Sequence, residues 1–207
     1  MTDPLVTDAP LEALERDRAL AREAGDPNAD LGWVATADPD GNPSVRTLVL
    51  RRVEDHWALF VNGTSAKWAD LASRPRCQVA LWLATVQRQW RLDARVRPLP
   101  RALLERHWPR RPRVARVMDH VYAERHPQGS RIEHHDVLAA AHAELDALLP
   151  ETPEPPAEAL ALALDIHRVE CVQIARPPKL HRRRSWHRSD PTAPESGQQW
   201  IAEERVP

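Results

Sequence analysis

Residues 44–67, SVRTLVLRRVEDHWALFVNGTSAK, constrain the chain more than any other stretch. Val45, Thr47, Val49 and Val53 alternate with Arg46, Leu48, Leu50 and Arg52, the period of a pleated strand. After a charged turn, Trp57, Leu59 and Val61 resume the alternation until Asn62-Gly63 breaks it. Thr64 or Ser65 then caps a helix whose first turn leaves backbone N–H groups unpaired. Lys67 stands in that turn, where a cation gains nothing from the helix dipole. With Arg46 on the preceding strand, it suits an anion such as a phosphate.

The rest of the chain is read around that unit as one domain, 1–207, large enough to bury a sizeable core. Residues 1–8 are expected to be loose. A helix follows over 11–24, with Leu11, Leu14 and Ala21 inward and Glu12, Glu15 and Arg22 on a solvated face. Barrel strands occupy 25–97, including 31–37, 76–83 and 87–96, with a hairpin turn at 38–43 and a short helix at 65–73. The strand at 76–83 is apolar on both faces, as inside a closed barrel or at a subunit contact. Helices are expected within 100–149, the last presenting Val137, Leu138, Ala141, Leu145 and Leu148. Residues 150–156 read as an exposed linker. Within 158–207, strand alternation at 160–174 changes phase near Arg168, which predicts a bulge. A final hairpin, 180–188 with 199–203, surrounds a loose loop. The fold class is mainly β with flanking helices, an antiparallel split barrel.

Composition excludes several functions. No apolar run approaches a membrane span, and the first residues carry no basic-then-apolar signal pattern. Cys77 and Cys171 are too few for a disulfide framework, so a reducing cytoplasm is the default. The net charge of -1 gives no global argument for nucleic acid. Ten arginines between 86 and 116, against only Asp93 and Glu105, suit a basic concavity for a small anion. Eight tryptophans beside one tyrosine and one phenylalanine point to core and interface packing. His134-His135 diverge on a helix and do not jointly chelate, so no metal is expected.

Arg46 to Arg51 on one strand, Asn62 to Lys67 after the next, and Arg88-Gln89 on a later one stand in order at set intervals. This pattern resembles the pyridoxamine 5′-phosphate oxidase family. The resemblance implies flavin mononucleotide (FMN) in a groove between two subunits of a homodimer. It puts the phosphate against Arg46, Ser65 and Lys67, with Phe60 and Val61 lining the ring, Gln89 at the ring edge, and Thr47 and Arg51 among the other cofactor-binding residues. From the partner chain it draws Gln128, Gly129 and Arg183. Substrate contacts fall on Arg51, His107, Arg111, Lys179 and His181, the last two handling substrate or a proton.

This chain also departs from the family. Ala66 stands where the family has an arginine, and Val172 where it has a tryptophan near the flavin. His107 replaces a tyrosine, Ala115 a serine, and Lys179 an arginine, and lysine does not match arginine in stacking or fork geometry. Strict alternation puts Arg46 and Arg51 on opposite faces unless the strand bulges or twists. The expected function is an FMN-dependent oxidoreductase taking a hydride from a small anionic substrate, with reoxidation by oxygen. A flavin reductase, an oxidase of another substrate, and a non-catalytic flavin- or haem-binding protein are the alternatives.

Overall fold

In a computed structural model, residues 7–175, 177–189 and 199–207 are described. Residues 1–6 and 190–198, most of the two segments expected to be loose, lie outside that set. Helix α1 (Pro10–Glu23) leads into β1 (Leu31–Ala37), and a tight turn returns the chain as β2 (Pro43–Val49). Asp38 holds the turn, its carboxylate accepting from Asn42 N–H at 2.8 Å and Asn42 Nδ2 at 2.9 Å.

The alternating run at 44–53 forms two strands rather than one. β2 pairs with β1, whereas β3 (Arg51–Val53) pairs with β4 (His56–Asn62). The buried Leu50 turns the corner, its N–H donating to Asp30 O at 2.9 Å and its carbonyl accepting from Arg18 Nη2 at 2.8 Å. The inward face of α1, between Leu14 and Ala21, therefore carries a buried cation among its apolar residues. Arg18 also donates from Nε to Ala29 O at 2.8 Å, pairs with Glu15 and Asp30, and lies over Trp57 at 5.0 Å. Asp17 is buried beside it, paired with Arg88 and accepting from Trp90 Nε1 at 2.9 Å. Helical periodicity sorts residues by face but cannot reveal that another element's carbonyls await a donor.

Strands β5 (Arg76–Leu83), β6 (Arg88–Pro98), β7 (Ala159–Gln173), β8 (Arg182–Arg188) and β9 (Trp200–Arg205) complete the sheet. Its order is β2-β1-β5-β6-β7-β4-β3, with β8 on β7 and β9 on β8. β2 and β3, adjacent in the chain, sit at opposite ends of this path, so the corner at Leu50 curls the sheet into a split antiparallel barrel. β7 changes partner along its length: residues 159–163 pair with β4 and 168–173 with β8. The expected bulge lies between these halves at His167, since Asp93 faces Arg168 while Ala94 faces Ile166.

Val34, Leu59, Val79, Leu81, Leu92 and Ile166 fill the barrel, and Trp90 stacks on Trp186 with centroids 6.1 Å apart. Each such side chain contributes roughly 1.5–3 kcal/mol through burial. Gly32 lets β1 approach β5: a Cβ there would stand 2.7 Å from Val79 Cγ1.

The helices are α2 (Ala66–Ser73), α3 (Arg101–His107) with a 3-10 turn at Trp108–Arg110, α4 (Arg113–Glu124) and α5 (His135–Leu148). α4 packs on α5 through Val117, Val121 and Leu145, while Leu148, expected on that face, is 70% exposed. The linker at 150–156 is not free of the body either. Trp108 Nε1 donates to Pro153 O at 2.9 Å, His120 Nε2 to Glu154 O at 2.9 Å, and Arg113 Nη1 to Pro150 O at 2.7 Å. A proline-rich backbone offers carbonyls without matching N–H groups, so side-chain donors pin it down. Among the described residues no helix is long and apolar enough to cross a membrane.

Candidate functional site

The turn between β4 and α2 is locked before any ligand is considered. Asn62 Oδ1 accepts from Thr64 N–H at 3.0 Å and from the Thr64 hydroxyl at 2.7 Å. The buried Ser65 donates its hydroxyl to Asn62 O at 2.7 Å and caps α2 by accepting from Trp68 N–H at 3.4 Å. With its side chain so committed, Ser65 shapes the helix start, and the N–H groups of Ala66 and Lys67 remain for an anion. Lys67 reaches Gln128 Oε1 at 2.6 Å, and Gln128 N–H donates back to Thr64 Oγ1 at 2.9 Å. Arg46 Nη1 donates to Thr36 Oγ1 at 2.7 Å and to the carbonyls of Val34 and Ser44 at 3.1 Å. Its Nη2 lies 3.9 Å from Asp70 Oδ2.

Two cations thus share a partly buried corner. Burial pushes the Lys67 ammonium down to about 8, Arg46 adds to the shift, and Asp119 opposes it. A bound dianion would relieve both causes, so these residues fit a phosphate. Thr47, next to Arg46, points the other way onto the exposed face of β2, where Trp33 is its cross-strand neighbour. Gly129 has φ 91°, a conformation that favours glycine.

A second group lies along Phe60. Arg51 sits over its ring at 5.7 Å and Arg111 at 5.6 Å, so the break at Leu50 supplies the reorientation that alternation denied Arg51. Burial lowers both guanidinium pKa values, and Arg51 lowers Arg111 further. Arg111 also lies 4.9 Å over Trp108 and pairs with Asp119 at 2.5 Å. Phe60, Val61, Lys67, Arg111, Ala115 and Gln128 line one cleft of about 320 Å³, together with Asn62, Asp119 and Tyr122. His107 is buried, its Nδ1 3.3 Å from Arg110 Nη1, and faces a neighbouring cleft of about 290 Å³ that Arg51 also lines.

The third group is remote from the first two. Gln89, Val172 and Arg183 are consecutive cross-strand partners on β6, β7 and β8, in one row. Arg183 Nη2 pairs with the buried Glu170 at 2.8 Å, and Arg91 holds the other carboxylate oxygen. Burial alone would raise the Glu170 pKa, but the bonds from Arg183 and Arg91 hold it low. Lys179 and His181 lie beyond this row on the exposed segment before β8, where His181 Nδ1 accepts from Ala175 N–H at 2.9 Å. A ring nitrogen that accepts bears no proton, so the neutral imidazole carries its hydrogen on Nε2.

The resemblance draws Gln128 from a partner chain; within one chain its side chain meets Lys67. It also puts Gln89 at the ring edge and draws Arg183 from the partner chain; within one chain the strands align the two in a single row. The sequence reading gave no role to Asn62, Asp119, Tyr122 or Glu170. A signal existed for two of them: Asp119 and Tyr122 stand four and seven residues after Ala115, on one face of α4.

The sheet order, the capped α2 and the basic corner define a split-barrel protein of the FMN-binding type. Comparison narrows this further. The family model for pyridoxamine 5′-phosphate oxidase matches residues 22–148. A pyridoxine/pyridoxamine 5′-phosphate oxidase of Anaeromyxobacter dehalogenans is 35% identical over 159 residues, 74% of this chain and 78% of that one. One from Nocardioides sp. is 32% identical over 139 residues, 67% of this chain and 60% of its own length. Among solved structures, PhzG from Burkholderia lata, in complex with tetrahydrophenazine-1-carboxylic acid, superposes with a TM-score of 0.83 at 23% identity, covering 98% of this chain and 94% of PhzG. A pyridoxamine 5′-phosphate oxidase-related, FMN-binding protein from Nostoc punctiforme gives 0.75 at 20% identity, over 98% of this chain and 100% of its own. The chain belongs to the pyridoxamine 5′-phosphate oxidase family.

Proposed function

We propose that the chain is an FMN-dependent oxidoreductase acting on a small anionic substrate, as a homodimer whose two subunits complete each flavin site. The observation that carries this reading is the separation of two half-sites. Phe60 pairs with Ala161 and Gln89 with Val172, eleven residues along the same strand β7. That is about 36 Å of strand at roughly 3.3 Å per residue, farther than one flavin nucleotide extends. A two-fold dimer brings the phosphate half of one chain to the ring-edge half of the other.

In this reading Arg46, Lys67, Gln128 and the first-turn N–H groups of α2 hold the phosphate. Phe60 and Val61 line the ring, and the Gln89 amide both donates to and accepts from the ring edge. Arg183, steadied by Glu170, faces the same edge. Bound FMN would supply the hydride acceptor. Arg51 and Arg111 orient an anionic substrate, Lys179 assists, and His181 holds a proton at Nε2.

The test begins with the absorption spectrum of the purified protein reconstituted with FMN, followed by anaerobic reduction by candidate amines and ring compounds. Failure to retain flavin would overturn the reading; retention without reduction by any substrate would favour a carrier. A second reading, oxidation of a substrate other than pyridoxamine phosphate, is favoured by His107, Ala115 and Lys179, all departures at the substrate end.

A further inference from the structure

The cleft beside Phe60 contains a carboxylate that the cofactor reading leaves unused. Asp119 on α4 is 4% exposed, and its Oδ2 lies 2.5 Å from Arg111 Nη2. Asn62 Nδ2 donates to its Oδ1 and to its backbone carbonyl, both at 3.3 Å. The Arg111 charge is therefore compensated inside the protein. Arg51, also over the Phe60 ring but lining the neighbouring cleft with His107, makes no ion pair or hydrogen bond among the described residues. Ala115, four residues before Asp119 on the same helix, offers no hydroxyl, and Leu48, Val61, Val114 and Met118 give the cleft apolar walls.

We infer that Asp119 is a specificity residue acting through Arg111: it sets this cleft for an apolar ring bearing one carboxylate and against a phosphate dianion. The inference rests on the flavin reading for what else occupies the site, since there Lys67 serves the cofactor phosphate. A phosphate needs several donors and a surplus of positive charge. Arg111 cannot supply both without taking from the buried Asp119 its ion-pair partner, leaving it only the Asn62 bond and the charge of Lys67, which the cofactor phosphate also claims. A monocarboxylate makes a smaller demand, which the planar fork of Arg51 meets alone. Asp119 also repels the second charge of a phosphate ester more than the single charge of a carboxylate.

Benzoate and phenyl phosphate share a ring and differ in the anion, so they serve as paired probes. Calorimetric titration of both into the FMN-loaded protein should show benzoate binding at least as tightly as phenyl phosphate. Asp119→Asn, nearly the same in shape, should move the ratio toward phenyl phosphate by about tenfold, while Asp119→Glu leaves it near the wild-type value. Wild-type preference for phenyl phosphate, or an unchanged ratio in a folded Asp119→Asn variant, overturns the inference. The wild-type ratio requires no variant to fold. If FMN is not retained, the functional reading fails, and the same two titrations on flavin-free Lys67→Met protein, whose cofactor-phosphate corner is disabled, still decide this one.

Discussion

Lys67 Nζ donates to Gln128 Oε1 at 2.6 Å, joining the start of α2 to a loop 61 residues further along the chain. The bond keeps the ammonium aimed at the corner it shares with Arg46. Replacing Lys67 with alanine should weaken FMN binding by about 1.5–3 kcal/mol, the scale of a hydrogen bond to a charged group. Titration by flavin fluorescence quenching measures it, and unchanged affinity would remove Lys67 from the site.

The same ammonium predicts a pH dependence. Its pKa in the ligand-free fold is about 8, below the ordinary 10.5, and a bound phosphate raises it by stabilising the charged form. Affinity should then fall as pH rises above about 8, approaching tenfold per unit, until the bound-state pKa is passed. Without ligand the sign reverses for folding: the unfolded chain binds more protons between these values, so Lys67 opposes folding below pH 8 and ceases to as pH rises toward 10.5. Lys67→Met should flatten the alkaline limb of the binding curve. A limb that persists in the variant assigns it to another group.

A dimer is expected from the outer face of the sheet. Val45 is 62% exposed and Val49 39% on the edge strand β2, with Trp33 alongside and Trp82 further across on β5. An exposed apolar edge invites pairing with another chain. Sedimentation should show a dimer at micromolar concentration, and Val45→Asp should shift it toward monomer with loss of flavin. A flavin-bound monomer would sink the shared-site reading.

The alternation at 44–61, the cap at Ser65 and the two-sided apolar strand at 76–83 made the barrel legible, because strand period and capping are local properties. The bulge was legible too, since two phases of one strand cannot both face inward without an extra residue. Arg18 was not, because its role depends on the carbonyls of Ala29 and Leu50, brought near only by the folded corner. For the same reason Asp119 looked like an ordinary helical acid until α4 lay against Asn62 and Arg111. Motif spacing singled out Gln89, Gln128 and Arg183 as candidates, but it carries no information on which of them the strands bring together: Gln89 shares a row with Arg183, whereas Gln128 meets Lys67.

Arg18 gives a stability prediction. Arg18→Met removes donors from two buried carbonyls and leaves Arg22 as the remaining partner of Glu15 and Asp30. The loss should be about 2–4 kcal/mol, the range for breaking a buried ionic network. Urea denaturation measures it; a change under about 0.5 kcal/mol, typical of surface substitutions, would make the corner at Leu50 independent of Arg18.

Val172 lies between Gln89 and Arg183 in one cross-strand row. A tryptophan there would add a flat apolar surface beside the ring edge, worth roughly 0.5–1.5 kcal/mol for an aromatic pair. Val172→Trp should therefore tighten FMN binding by up to about tenfold and quench its fluorescence more strongly. An unaltered flavin spectrum and affinity would place the ring elsewhere.

Substrate choice is the last prediction. Were Lys179 equivalent to the arginine of the family, pyridoxamine phosphate would turn over well and Lys179→Arg would change little. The opposite is expected, because Lys179, His107 and Ala115 alter three positions and Asp119 engages Arg111. A lost serine hydroxyl at Ala115 costs roughly 0.5–1.5 kcal/mol, and a lost planar stacking partner at Lys179 a similar amount. Together they predict a specificity constant for pyridoxamine phosphate about ten- to hundredfold lower than in an enzyme retaining those groups. Restoring both through Lys179→Arg with Ala115→Ser should recover much of the loss, and mainly through KM if the groups only hold the ground state. Peroxide release with pyridoxamine phosphate, set beside the unphosphorylated amine, decides the matter. Efficient turnover of the phosphate ester by the unaltered protein would overturn this reading of the departures and return the chain to the ordinary activity of its family.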